Sequence, residues 1–274
     1  MTQVILLLIL FISIIILFAL RMKTKEQVLS RELKIGQAQS IGTRTLQQDH
    51  MQITRNMGSL LLLMADGAGE DGQAAAKIAV DTFADMFKDY HASDKPLYFF
   101  QRAANAANQR IVNVLEERQG TASLAAVIIR DSKVYYCVVG GVSIAIYRNG
   151  HLIPVSVGQT IDVLARQRFN EGRISRSTTL ALLDTQRRYN FLGQDYFQEI
   201  ELFDKPIVLD RGDCVSLMSE GVTNTVGWSE LEFIFERHNK KPKQIAQEVI
   251  NAVNNSELVN KDNASILIVS AGEK

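Results

Sequence analysis

The chain has 274 residues, 46% of them hydrophobic, and its thirty acidic and thirty basic side chains cancel. That length holds one large domain or two small ones with a full apolar core. The balanced charge gives no global field for nucleic acid or another polyanion. Two cysteines, Cys137 and Cys214, lie far apart in apolar runs, which reads as buried reduced thiols rather than a disulfide framework or a metal pair.

The chain opens on an uncharged apolar stretch from Val4 to Leu20, seventeen residues with Ser13 as the one polar member. About 17 residues is the lower limit for a helix crossing a bilayer, so the sequence predicts a short transmembrane anchor over residues 1–21. A cleaved signal fits less well, because Met1 to Gln3 carry no positive charge and no small-residue cleavage site follows. Arg21, Lys23, Lys25, Arg31 and Lys34 follow the stretch, which sets the remainder on the cytoplasmic side by the positive-inside tendency. Residues 22–37 read as a juxtamembrane linker and 38–274 as the working domain.

Within that domain, residues 51–55 alternate like a strand, and a turn at Asn56 to Gly58 leads to the apolar run 60–65. Helical patterns cover 72–90 and 96–118, the second opened by Pro96. A block of strands follows at 122–130, 134–139, 143–148 and 152–155, with Asn149-Gly150 as the strongest hairpin signal. Residues 160–190 are polar, rich in arginine and helical in part. A turn at Asp210 to Asp213 feeds the strand 214–218, helical patterns cover 229–238 and 243–254, and a last strand runs over 264–270. Few strand–helix–strand crossovers appear, so the order predicts a mainly antiparallel sheet system with helices packed outside, an α+β arrangement rather than a doubly wound sheet.

The chemistry concentrates in four carboxylates at strand ends or just before strands: Asp49, Asp66, Glu220 and Asp262. Three are followed by a small turn residue, in Asp66-Gly67, Glu220-Gly221 and Asp262-Asn263. Such a set of oxygen ligands without His or Cys suits a hard octahedral ion, Mg2+ or Mn2+. The four histidines, His50, His91, His151 and His238, read as surface residues. The arginines Arg166, Arg168, Arg173, Arg176, Arg187 and Arg188 read as a solvated face, with recognition of phosphorylated partners as the sharper alternative.

These segments resemble the metal-dependent protein phosphatases of the PP2C type in their bacterial form, over about residues 40–270. Arg44 with Asp49, Asp66-Gly67-Ala68-Gly69, Gly120-Thr121, Gly140-Gly141 with the Asn149-Gly150 hairpin, Glu171-Gly172, Glu220-Gly221 and Asp262-Asn263 follow in the family's order. The resemblance implies a four-layer αββα sandwich and a binuclear Mn2+ or Mg2+ site. Asp66 would bridge two ions, Gly67 would lend its carbonyl, Glu220 and Asp262 would complete one ion, and Asp49 would serve the other. Arg44 would grip the substrate phosphate through its planar fork.

The departures fall on the same chemistry. Gln48 stands where the family has Glu, Glu220 where it has Asp, Gly141 where an Asp would hold a third ion, and Ser143 where it has Arg. A second ion should then bind weakly and a third not at all. Two functions follow: a membrane-anchored, cytoplasm-facing serine/threonine phosphatase acting on membrane-proximal phosphoproteins, or a catalytically impaired module with a regulatory or scaffolding role. Neither involves nucleic acid.

Overall fold

The computed structural model describes residues 10–18 and 33–272, apart from 92, 117–118, 184, 186, 198, 204 and 239–240. Residues 10–18 are helical and carry exposed apolar side chains from Leu10 to Phe18. The rest of the expected anchor over Val4 to Leu20 lies outside the described residues. Among the described residues no helix is long and apolar enough to cross a membrane.

Two antiparallel sheets form the centre. The first has the order β1-β11-β10-β6-β7, from β1 (Leu33–Ser40), β11 (Ala264–Ala271), β10 (Cys214–Met218), β6 (Ser143–Arg148) and β7 (His151–Pro154). The second has the order β2-β3-β4-β5-β8, from β2 (His50–Asn56), β3 (Ser59–Ala68), β4 (Thr121–Arg130), β5 (Lys133–Val139) and β8 (Glu201–Leu202). A short β9 (Ile207–Val208) also pairs with β5.

The period-2 alternation of strand side chains separates the three core layers. On β3, Leu61, Leu63 and Ala65 face the helices α1 (Gly72–Phe87) and α2 (Pro96–Leu115), packing with Phe83, Phe87, Phe100 and Ile111. Leu60, Leu62 and Met64 point the other way, onto Val215, Leu217, Leu267 and Val269 of the first sheet. The far face of that sheet, with Cys214, Met218, Ile266 and Ile268, is covered by α6 (Trp228–Arg237) and α7 (Pro242–Asn255) through Phe235, Ile245 and Val249. The result is the αββα sandwich that the family resemblance implies, and the antiparallel sheets with helices outside agree with the order of elements. In chain order α3 (Ile161–Asn170) and α4 (Arg176–Leu182) lie between β7 and β8, while a four-residue α5 (Glu220–Thr223) follows β10.

The Asn149-Gly150 hairpin forms as expected, with both residues at positive φ, 53° and 88°, as a tight two-residue turn requires. The linker boundary moves: Leu33 to Gln37, assigned to the juxtamembrane segment from sequence, belong to β1 and pair with β11. Leu33 and Ile35 pack against the layer between the sheets. A strand of this kind, with Gly36 and polar alternates, has too few apolar residues to stand out beside a charged run. Both cysteines are buried and outside any disulfide, and burial pushes the Cys137 thiol up.

Leu62 is fully buried between the sheets. Leu62→Ala should lower stability to urea by about 2–5 kcal/mol. Leu46→Ala, at a side chain 53% exposed, should change it by less than about 0.5 kcal/mol.

Candidate functional site

The carboxylates gather at one edge of the sandwich, where β3 of one sheet and β10 and β11 of the other come to their ends. Asp49 precedes β2 and is buried. Its carboxylate accepts the Ser265 hydroxyl at 2.6 Å. Burial, reinforced by the charge of Asp66, pushes Asp49 up to about 8. Asp66 lies on β3 and is 7% exposed. Burial raises its pKa, opposed by the charge of Arg188 and by a hydrogen bond from the Glu220 main chain. Glu220 opens α5 directly after β10; desolvation raises it too, again against Arg188.

Arg188 is therefore the centre of the cluster. Its Nε donates to Glu220 Oε1 at 2.8 Å and its Nη2 donates to Asp66 Oδ1 at 3.1 Å. The three side chains are only 17%, 18% and 10% exposed for Arg188, Glu220 and Asp66. A planar guanidinium can serve two acceptors in this way, which a lysine ammonium does less well. Of the six arginines read from sequence as a solvated face, Arg166, Arg168, Arg173, Arg176 and Arg187 are exposed and Arg188 is not. The expectation fails at the one position that matters. Nothing in the local pattern separates Arg188 from Arg187, because its partners lie 122 and 32 residues away.

The remaining expected residues sit around this pair. Arg44 and Asp262 meet at the rim, Nε to Oδ1 at 3.0 Å, with 58% and 56% of their side chains exposed. Gln48 donates from its side-chain amide to the Gly69 carbonyl at 2.8 Å, and its main-chain N–H donates to Asn263 Oδ1 at 2.8 Å. Asn263 in turn donates to the carbonyls of Ile41 and Leu46. The loop carrying Arg44 is thus tied to the start of β11. Gly67 lies so near the first turn of α1 that a Cβ would stand 2.1 Å from the Gly72 carbonyl oxygen. Ser143 begins β6 opposite Met218.

Gly141 explains part of the departure at Glu220. A Cβ on Gly141 would stand 1.6 Å from Glu220 Oε1. The longer acidic side chain lies over the bare backbone of the glycine, in space that an Asp at 141 would contest.

The donor chemistry is that of a hard cation, four carboxylates and a main-chain carbonyl. Burial, and after it the charges of neighbouring acids with Asp262 among them, raises the pKa of Asp49, Asp66 and Glu220. In this arrangement, however, Asp66 and Glu220 are spent on Arg188, Asp262 on Arg44 and Asp49 on Ser265. Among the described residues no group of three or more His, Cys, Asp or Glu is set to hold a metal ion. The set does not fit a divalent ion while Arg188 stands between its members.

The layers and the acidic edge define the class: an αββα sandwich of the serine/threonine phosphatase type. A family profile described as protein phosphatase 2C matches residues 37–256, and the chain belongs to that family. Among solved structures, a serine/threonine phosphatase of S. agalactiae superposes with a TM-score of 0.75 at 19% identity, covering 88% of this chain and 100% of that one. The Mycobacterium tuberculosis serine/threonine phosphatase PstP/Ppp gives 0.72 at 18%, covering 88% and 99%. The catalytic domain of PstP in complex with two manganese ions gives 0.70 at 18%, again covering 88% and 99%. At these identities the likeness establishes the fold. No curated relative matches the sequence.

Gly141→Ala should move the Glu220 carboxylate and weaken its bond to Arg188, at a cost of about 1–3 kcal/mol in urea unfolding. In a Glu220→Ala background the same substitution should cost much less, since the clashing oxygen is gone. Equal costs in the two backgrounds would show that glycine is not there for Glu220.

Proposed function

We propose that this chain is a phosphoprotein-directed member of the protein phosphatase 2C family that acts as a regulatory module and does not hydrolyse phosphoesters as it stands. The single observation behind this reading is Arg188, whose guanidinium engages Asp66 and Glu220 together. A hydrolase of this class depends on those carboxylates being free for other work. The substrate class carries over from the family: proteins phosphorylated on serine or threonine. Arg44, at the rim and more than half exposed, is the group suited to a phosphate.

A cleft of about 490 Å³, lined by Gln159, Gln167, Arg168, Glu171, Arg173 and Tyr189, lies on the segment that carries Arg188 and offers room for a peptide. The apolar stretch from Val4 to Leu20 and the basic residues after it support a membrane-tethered, cytoplasm-facing placement. The partner is then a membrane-proximal phosphoprotein.

A second reading, a working metal-dependent serine/threonine phosphatase, is favoured by Asp49, Asp66 and Glu220, whose pKa values are raised by burial and further by the charges of neighbouring acids. In that case Asp66, Glu220, Asp262, Asp49 and the Gly67 carbonyl would hold Mn2+ or Mg2+ once Arg188 had left. The two readings separate on turnover. With Mn2+ present, hydrolysis of an aryl phosphate and of a phosphothreonine peptide by the wild type should match that of Asp66→Ala to within about 2-fold. Turnover lost in Asp66→Ala, with folding intact by circular dichroism, would establish the phosphatase and remove the regulatory reading.

A further inference from the structure

We infer that Arg188 is a resident counter-cation, standing where a divalent ion would otherwise join the two sheets, and that it excludes such an ion from Asp66 and Glu220. The inference rests on the regulatory reading above and names what closes the site. Asp66 belongs to the second sheet and Glu220 follows a strand of the first. The guanidinium bonds to both at 3.1 and 2.8 Å, so it pins the edges of the two sheets as a bridging cation would. One positive charge held by nearly buried acids suppresses the affinity of those acids for a second cation, since the two would repel at close range in a poorly solvated site.

Arg188 is not a side chain that has wandered in from solvent. The segment that carries it is fixed on both sides by main-chain bonds, Ile161 N to the Arg187 carbonyl at 2.8 Å and Tyr189 N to the Gln159 carbonyl at 3.1 Å. Two residues on, the buried Asn190 donates to Gln159 Oε1 and to the Glu199 carbonyl at 2.5 and 2.7 Å. Leu192 exchanges main-chain bonds with Ala122 of β4, at 2.8 and 3.0 Å. This frame delivers the guanidinium to one place.

The neighbouring residues match it. Gly141 leaves the space that Glu220 fills, and Glu220 supplies the length to reach Arg188 Nε. Gln48 offers a neutral donor to the Gly69 carbonyl where an acid could not donate. Glu220 and Gly141, two separate departures from the family pattern, become one change: the replacement of an exchangeable ion by a side chain.

Thermal melts and calorimetric titration with Mn2+ test this on the full chain. The wild-type Tm should move by less than about 1 °C between EDTA and about 1 mM Mn2+. Arg188→Ala should melt lower in EDTA and recover by about 5 °C or more in Mn2+. Its Mn2+ affinity should exceed that of the wild type by at least about 10-fold, a gain abolished in Arg188→Ala/Asp66→Asn. Arg188→Gln, which keeps donors and removes the charge, serves the same comparison if the alanine variant does not fold.

A wild type that binds Mn2+ as tightly as the Arg188 variants would overturn the inference. So would folded variants with no gain. Neither result depends on turnover: a wild type that binds Mn2+ without hydrolysing refutes the resident cation and leaves the regulatory reading standing. Asp66-dependent hydrolysis by the wild type would refute that reading.

Discussion

Carboxylates brought to one edge of a folded chain must be neutralised, and the manner of their neutralisation decides what the edge can do. Asp49, Asp66 and Glu220 all have raised pKa values because burial disfavours their charge and neighbouring acids add to it. Arg188 relieves that repulsion from within the chain. Buried ion pairs of this kind add little net stability over an apolar substitute, but removing one partner leaves an uncompensated charge. The site and the segment from Gln159 to Leu192 therefore stand or fall together. The same main-chain bonds that shape that segment also hold Arg188 against the acidic edge.

Seen from the edge inward, the rest of the sandwich works as a positioning frame. The alternation on β3 places Leu61 and Leu63 under the helices and Leu62 and Met64 between the sheets, and the same strand then carries Asp66 to the rim. β10 does likewise for Glu220 and β11 begins just after Asp262. Three strands from two sheets converge because the layer between the sheets is packed from Leu60 to Val269, so a local change at the site has little freedom to spread.

Much of this was legible in the sequence. The strand from Cys214 to Met218, the Asn149-Gly150 hairpin and the acidic residues at strand ends follow from short-range patterns, and all are present. Their gathering was legible as well, since apolar strands that end in acidic turns carry their carboxylates to a shared rim. Three things were not. β1 hides behind a charged approach and an interior glycine, while β8 and β9 are two residues each and owe their existence to the partner β5. Arg188 looked like its exposed neighbours, because its place is set by residues far along the chain. Charge counting around the carboxylates gives the only available signal: buried acids require a cation, and the family pattern had already lost parts of its ion-binding set at Gln48 and Gly141.

The ladder between β1 and β11 has a mechanical side. β1 runs antiparallel to β11 from Leu33 opposite Ala271 to Ser40 opposite Ala264, and it is the first strand among the described residues. A force applied to the chain ahead of Leu33 meets the Leu33–Ala271 end of this ladder first and reaches Ser40 only through the row of main-chain bonds between them. The far end of that row lies beside Asp262 and the Asn263 bonds to the Arg44 loop. Tension at the N-terminus and the geometry of the acidic rim are thus joined through one strand pair.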